Sequence, residues 1–205
     1  MDFRTLFPAR LSINQVFPDL MVDIETTGTD PHHTNMIQLA CIPFNFETEE
    51  IGTPFNRCLE MTSNRYWDEG TKRWWHETEE RRNVLQGILA KSEDPILVMN
   101  QFFDYVKALQ IRPRWWSRGG FDFNFVESYL NQYQLPMVTD FWRQRELRSF
   151  MSGLNKSADE PDMSHIKMEG AAHNALFDCV IQLKRLFAAK RGNFHIEVIE
   201  GEVIA

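Results

Sequence analysis

Asp23 and Glu25 stand two residues apart at the end of the apolar run Asp19-Leu20-Met21-Val22-Asp23-Ile24, just before the turn-forming stretch Thr26-Thr27-Gly28-Thr29-Asp30-Pro31. Hard divalent cations take carboxylate oxygens, and a kink or twist at such a strand end lets both side chains approach one ion. An isolated Asp-x-Glu reads more readily as a solvated strand end. What changes the reading is its company. Asp122 supplies a third carboxylate far downstream, and Asp178 a fourth, on a segment that also carries His173. Their separation of five positions spans about one and a half helical turns, so the two need not share a face. The loop Glu169-Gly170-Ala171-Ala172 lets them flank one pocket all the same. Alone, His173 reads equally well as a solvent-facing residue of a first turn, and Asp178 as a surface acid.

The elements that must position these groups follow from periodicity and turn chemistry. Asp19 to Ile24, Met36 to Phe44 and Phe55 to Met61 read as three strands of a meander. Apolar residues recur at three and four over Thr78–Lys91 (Val84, Leu85, Ile88, Leu89) and Pro95–Gln110 (Phe102, Phe103, Val106, Leu109), which predicts two helices. Pro95 suits a first turn. Arg114 to Ser117 predicts a strand that runs through Arg118-Gly119-Gly120 into a helix over Phe121 to Leu130, with Asp122 near its start. A strand near Val138 to Trp142, a polar loop around Asn155 to Met163, a helix from His173 to Lys190 and a terminal strand over Phe194 to Ile199 complete the pattern. Strand and helix alternation after a three-strand start implies an α/β domain, a mixed sheet covered on both faces. Ligands of such sheets bind at the carboxyl ends of strands.

The 205 residues carry 22 Lys+Arg against 29 Asp+Glu, a net charge of −7, with 43 % apolar and 13 % aromatic residues. That suffices for one domain, residues 1–205, and excludes a disordered or fibrous chain. No repeat or linker divides it. No run reaches membrane-span length and the start lacks an apolar signal segment, so a cytoplasmic protein without a membrane partner is expected. Cys41, Cys58 and Cys179 are too few and scattered for a disulfide framework or zinc knuckle. The acidic balance argues against a broad basic face for nucleic acid, yet a carboxylate cluster loaded with two divalent cations has its own field set by those ions.

Taken together, Asp23-Ile24-Glu25-Thr26-Thr27-Gly28, Gly120-Phe121-Asp122-Phe123-Asn124-Phe125 and His173-Asn174-Ala175-Leu176-Phe177-Asp178-Cys179 resemble the three motifs of the DEDDh 3′–5′ exonucleases. The likeness covers most of the chain. Four residues between His173 and Asp178 fit this branch, where a tyrosine spaced by three would mark its sister. Thr71-Lys72-Arg73-Trp74-Trp75, Arg145-Glu146-Leu147-Arg148 and the His-Asn-Ala ending are most similar to the group of phage exonuclease A and mycobacterial RNase AS. One departure stands out: Arg118-Gly119-Gly120 occupies the place where many members carry His-Asn-Ala. An alignment that makes His173 to Asp178 the second motif leaves 27 residues after Asp178, too few for another strand, loop and catalytic helix.

The resemblance implies a ribonuclease H-like mixed sheet of five to six strands with helices on both faces. It implies stepwise removal of 5′-mononucleotides from the free 3′ end of a single strand, DNA favoured over RNA, by two Mg²⁺ or Mn²⁺ ions. Hydrolysis of a phosphodiester needs a deprotonated water and a clamp on the attacking and leaving oxygens, which two metals about 3.5–4 Å apart supply. Asp23 is expected to bridge the ions, Glu25 and Asp178 to hold the one that activates water, and Asp122 to serve the second. His173 is the expected general base, since histidine takes a proton near neutral pH. The backbone around Thr26, Thr27 and Gly28 is the expected contact for the terminal sugar, with Trp74 or Trp75 stacking on a base. Arg118, with Arg112, Arg114, Arg143, Arg145 and Arg148, offers a local basic track. Relatives that dimerise imply a homodimer, and a phage origin would place the protein in host cytoplasm. The competing reading is a non-catalytic factor on this fold that binds nucleic acid or a host protein.

Overall fold

In a computed structural model, residues 16–166 and 172–193 are described. Strands β1 (Asp19–Thr26), β2 (Met36–Phe44) and β3 (Phe55–Leu59) form the expected antiparallel meander. Two-residue β4 (Ser92–Glu93) adds to β3 in parallel, while β5 (Arg114–Ser117) and β6 (Gln144–Glu146) add in parallel beyond β1. The result is a mixed six-stranded sheet, in the order β4-β3-β2-β1-β5-β6. Its centre is β1.

Among the described residues six helices cover the sheet: α1 (Glu69–Glu77), α2 (Glu79–Leu89), α3 (Pro95–Ala108), α4 (Phe121–Gln132), α5 (Leu147–Leu154) and α6 (Ala175–Lys190). Alternation along β1 sorts its side chains between two cores. Leu20, Val22 and Ile24 pack with Val98 and Phe102 of α3 and Phe125 and Tyr129 of α4. Met21 turns the other way, toward Met151 of α5 and Cys179, Leu183 and Leu186 of α6. Trp75, Leu85 and Ile88 of the α1–α2 corner close a third cluster over Ile37 and Cys58. Asp68 caps α1 by accepting from the Thr71 N–H, and Thr78 both ends α1 and caps α2. All three cysteines are buried and free. Among the described residues no helix is long and apolar enough to cross a membrane.

The strand expected near Val138 to Trp142 is displaced, and β6 begins at Gln144. The Thr139 hydroxyl donates to the Pro113 carbonyl, and Phe141–Arg143 forms a 3-10 turn closed by Arg143 N–H on the Asp140 carbonyl. Phe141 and Trp142, whose apolar character suggested the strand, lie 74 % and 65 % exposed. Helices α1 and α5 were not legible from periodicity, and the long helix starts at Ala175 instead of His173. The terminal strand over 194–199 lies outside the described residues.

Candidate active site

Asp23 and Glu25 extend the face of Met21, so both carboxylates project toward α6, where Asp178 occupies the first turn. A β-bulge shifts the register against β2 between Glu25, which pairs with Gln38, and Thr26, which pairs with Met36, and such irregularities re-aim side chains at strand ends. Oxygen atoms of Asp23, Glu25 and Asp178 all come within 4.8 Å of one another. Asp122 joins from α4. Pairing of β1 with β5 reaches Met21↔Trp116, and the Ile24 N–H beyond it donates instead to Asp122 Oδ1 at 3.2 Å. The turn that delivers Asp122 accounts for one position of the departure in the second motif: Gly119 has φ +104°, a backbone conformation that side chains disfavour.

At the start of α6, Asn174 makes no side-chain cap; Gln38 of β2 takes that role by accepting from the Ala175 N–H at 3.1 Å. His173 precedes the helix with φ 65°, in the left-handed region. This resolves the spacing problem, because His173 is not part of the helix and needs no shared face with Asp178. Its ring stands edge-to-face with Trp74, centroids 4.6 Å apart. One turn beyond Asp178, Gln182 donates to Asp23 Oδ1 at 2.8 Å. Neither glutamine carried a motif signal; each is found only by asking which side chain completes a neighbour's hydrogen bond.

The electrostatics are those of a site short of positive charge. Burial pushes the Asp23 carboxyl well above the usual range, and Asp122, Glu25 and Asp178 push it further, against a small opposite pull from Gln182. Glu25 is raised by burial and by Asp178 and Asp122. Burial drives Asp122 up to about 7 despite the Ile24 N–H. Asp178 is raised by burial, while His173, its backbone N–H, Arg185 and Arg118 pull it down. Carboxylates so arranged stay together either protonated or neutralised by cations. A set of carboxylate oxygens without Cys or His donors suits Mg²⁺ or Mn²⁺.

The expected substrate contacts divide. Thr27 is committed to the fold: its N–H donates to Asn35 O, its carbonyl accepts from Asp68 N–H, and its hydroxyl donates to Tyr66 O. Trp75 is 1 % exposed and donates its indole N–H to Thr26 O at 3.0 Å, so no ring face is open to a base. Both are therefore withdrawn as substrate contacts. Thr26 and Gly28 line the end of β1, and Gly28 is required there because a Cβ would come within 2.4 Å of the Thr34 side chain. Arg118 lies close enough to Asp178 to act on it, and pairs with Glu160 at 2.9 Å. The wider basic track is largely spent in ion pairs, Arg112 with Asp140, Arg114 with Asp19 and Arg148 with Glu146.

Residues 18–189 match the family described as the 3′–5′ exoribonuclease Rv2179c-like domain. The chain belongs to this family. It is a 3′–5′ exonuclease with a ribonuclease H-like fold and an acidic cluster fit for metal. No curated protein sequence matches it. Among solved structures, the 3′-exonuclease that recognises the histone mRNA stem-loop superposes with TM-score 0.63 at 14 % identity, over 89 % of this chain and 87 % of that one. E. coli exonuclease I in complex with a dT13 oligonucleotide gives 0.64 at 16 % identity, over 83 % of this chain and 40 % of that chain. The cell-death related nuclease CRN-4 gives 0.60 at 15 %, over 88 % and 67 %. At such identities the likeness is one of fold, and this exonuclease spans about two fifths of exonuclease I.

Proposed function

We propose that this exonuclease removes 5′-mononucleotides from the 3′ end of single-stranded nucleic acid, RNA being the better supported substrate, with two divalent cations. The observation that carries the reading is the oxygen cluster of Asp23, Glu25 and Asp178 within 4.8 Å, with Asp122 beside it, all pushed up by burial, to which repulsion adds at Asp23, Glu25 and Asp122. These four side chains would hold Mg²⁺ or Mn²⁺. What such ions supply when bound is charge on the attacking and leaving oxygens of an in-line displacement. His173, beside Asp178, accepts the proton of the attacking water. The new P–O bond forms as the P–O3′ bond breaks, which frees a 5′-monophosphate, and the departing O3′ takes a proton from solvent water to leave a 3′-hydroxyl on the shortened strand. Thr26 and Gly28 meet the terminal sugar, and Arg118 meets a phosphate once released from Glu160.

RNA is supported by the exoribonuclease description of the family. A phage-like sequence flavour favours DNA, and exonuclease I was solved with a DNA oligonucleotide, so both sugars belong in the test. Matched 5′-labelled single-stranded RNA and DNA oligomers are digested with Mg²⁺ or Mn²⁺ beside an Asp122→Asn control and a chelator arm. A descending ladder on RNA, absent in both controls, is the expected result. A ladder on DNA alone overturns the sugar assignment. Binding without shortening of either oligomer selects the non-catalytic reading.

A further inference from the structure

The general base proposed above begins no element: His173 lies outside α6, in the left-handed region, next to an N-cap residue that makes no capping contact. Its ring direction must therefore be set by what packs against it. That partner is Trp74, edge-to-face at 4.6 Å and 80°. We infer that Trp74 is the positioning residue of the general base, registering the His173 imidazole against the strand that carries Asp23 and Glu25. The inference rests on the exonuclease reading with His173 as base.

Helix α1 sets the position of Trp74. Trp75 fixes this helix to the end of β1 by donating to Thr26 O, and Asp68 N–H adds a second tie at Thr27 O. Trp74 follows from that anchoring, since the neighbouring residue on a helix points about 100° away. While Trp75 faces the core, Trp74 faces His173. The indole is held in turn. The Arg81 guanidinium sits 4.2 Å from its ring centroid, and the same side chain donates to the Trp74 carbonyl and to Glu77. Arg81 is itself placed by Thr78, whose hydroxyl accepts from the Arg81 N–H. Trp75 contacts the indole edge-to-face at 5.1 Å. A chain of rigid contacts thus runs from Thr26, one residue past Glu25, through α1 to a histidine that arrives from the far end of the sequence. Aromatic pairs of this geometry hold orientation as well as area, and a general base must lie within hydrogen-bond reach of the proton it takes. The same contacts reassign Trp74 from the base-stacking role that its type suggests.

The test is single-turnover cleavage and equilibrium binding of one 5′-labelled single-stranded RNA oligomer, or of DNA if that is the sugar cleaved. The proteins are the wild type, Trp74→Ala, Trp74→Phe, His173→Ala and the double variant. Trp74→Ala is expected to lower the cleavage rate roughly ten- to a hundredfold with binding unchanged, and Trp74→Phe to restore most of it. In the His173→Ala background Trp74→Ala is expected to cost nothing more, because the group it positions is gone. Loss of binding in step with rate overturns the inference in favour of a base platform. An equal rate loss in the His173→Ala background also overturns it, in favour of general support of the site. If Trp74→Ala does not fold, Arg81→Met, which leaves the indole but removes its cation, carries the same comparison: a slower rate only where His173 is present. A wild type inactive on every oligomer removes the exonuclease reading itself, whereas an active wild type with an unaffected Trp74→Ala rate removes this inference alone.

Discussion

Strand β1 carries two aspartates four residues apart on one face, Asp19 buried and Asp23 partly buried, and they have opposite lives. Asp19 is fully buried and fully answered: Arg114 donates to both of its oxygens at 2.6 Å, Trp116 Nε1 to Oδ1 at 2.7 Å, and the Phe46 N–H to Oδ2 at 3.3 Å. Asp23 receives one hydrogen bond from Gln182 and otherwise faces Asp122, Glu25 and Asp178. A buried carboxylate whose donors come from the fold is a structural group. One surrounded by its own kind is a group whose partner is brought in. The comparison separates the two without reference to any motif.

The sharpest way to break it is to delete each acid. Asp23→Ala is expected to abolish turnover in a protein that still folds, since removing one charge from a repelling cluster relieves it. Asp19→Ala is expected to do the reverse. It strands the Arg114 guanidinium and the buried Trp116 N–H, a loss of about 3 kcal/mol because Arg114 is partly solvated, while turnover well below the melting temperature persists. Thermal melts and ladder assays on both variants decide the matter. A folded but inactive Asp19→Ala protein would show that the two ends of the strand are not independent.

His173→Ala follows in size, with the rate falling about 10²- to 10⁴-fold. Here the comparison is with the carboxylates, because the melting-temperature gain on adding Mg²⁺ should survive. If that gain vanishes along with the rate, His173 is a ligand and not the base.

How much of this was readable beforehand depends on the kind of signal. The meander, α3, β5, α4 and most of α6 follow from period and turn residues, and the acids follow from their order along the chain. Asp19 and Asp23 look alike in Asp-Leu-Met-Val-Asp; what parts them is Arg114 and Trp116, which sheet pairing brings from almost a hundred residues away. The same is true of Trp75, whose type suggested stacking and whose place is the core. Helix α1 escaped detection because its buried face is a single residue. The arginines near the second motif suggested a basic track, but their partners, such as Asp140 and Glu160, come from other segments.

The titration of the cluster gives a third contrast, between the protein with and without cations. Burial raises these acids, with repulsion added at Asp23, Glu25 and Asp122, the last to about 7, so the folded protein binds more protons than the unfolded chain in that interval. Stability without metal must then fall as pH rises from the ordinary carboxylate range through about 7, where Asp122 titrates. Divalent cations replace those protons. The stabilisation by Mg²⁺ should therefore grow with pH, reaching about 2.7 kcal/mol at a hundred times the dissociation constant, or roughly 5–10 °C in melting temperature. Melts at pH 5 and pH 8, with Mg²⁺ and with chelator, measure it. A metal effect of equal size at both pH values contradicts the assignment of the cluster as the binding site.

The smallest expected effects probe the single donors at the two ends of β1. Gln182 is buried, donates to Asp23 Oδ1, and leaves its own Oε1 without a hydrogen-bond partner among the described residues. On the proposed reading this bond orients Asp23 so that its second oxygen is presented to a cation, and outer hydrogen bonds of this kind are worth about 10- to 100-fold in metal affinity. Gln182→Leu, which keeps the volume but loses the donor, should raise the Mg²⁺ concentration for half-maximal activity about tenfold and leave the rate at saturating Mg²⁺ nearly intact. Trp116→Phe removes the matching donor from Asp19. It should lower stability by about 1–3 kcal/mol and leave the Mg²⁺ requirement where it was. If both variants shift stability alone, Gln182 only packs against Asp23, and the orientation of that carboxylate is set by the β-bulge and by Asp122.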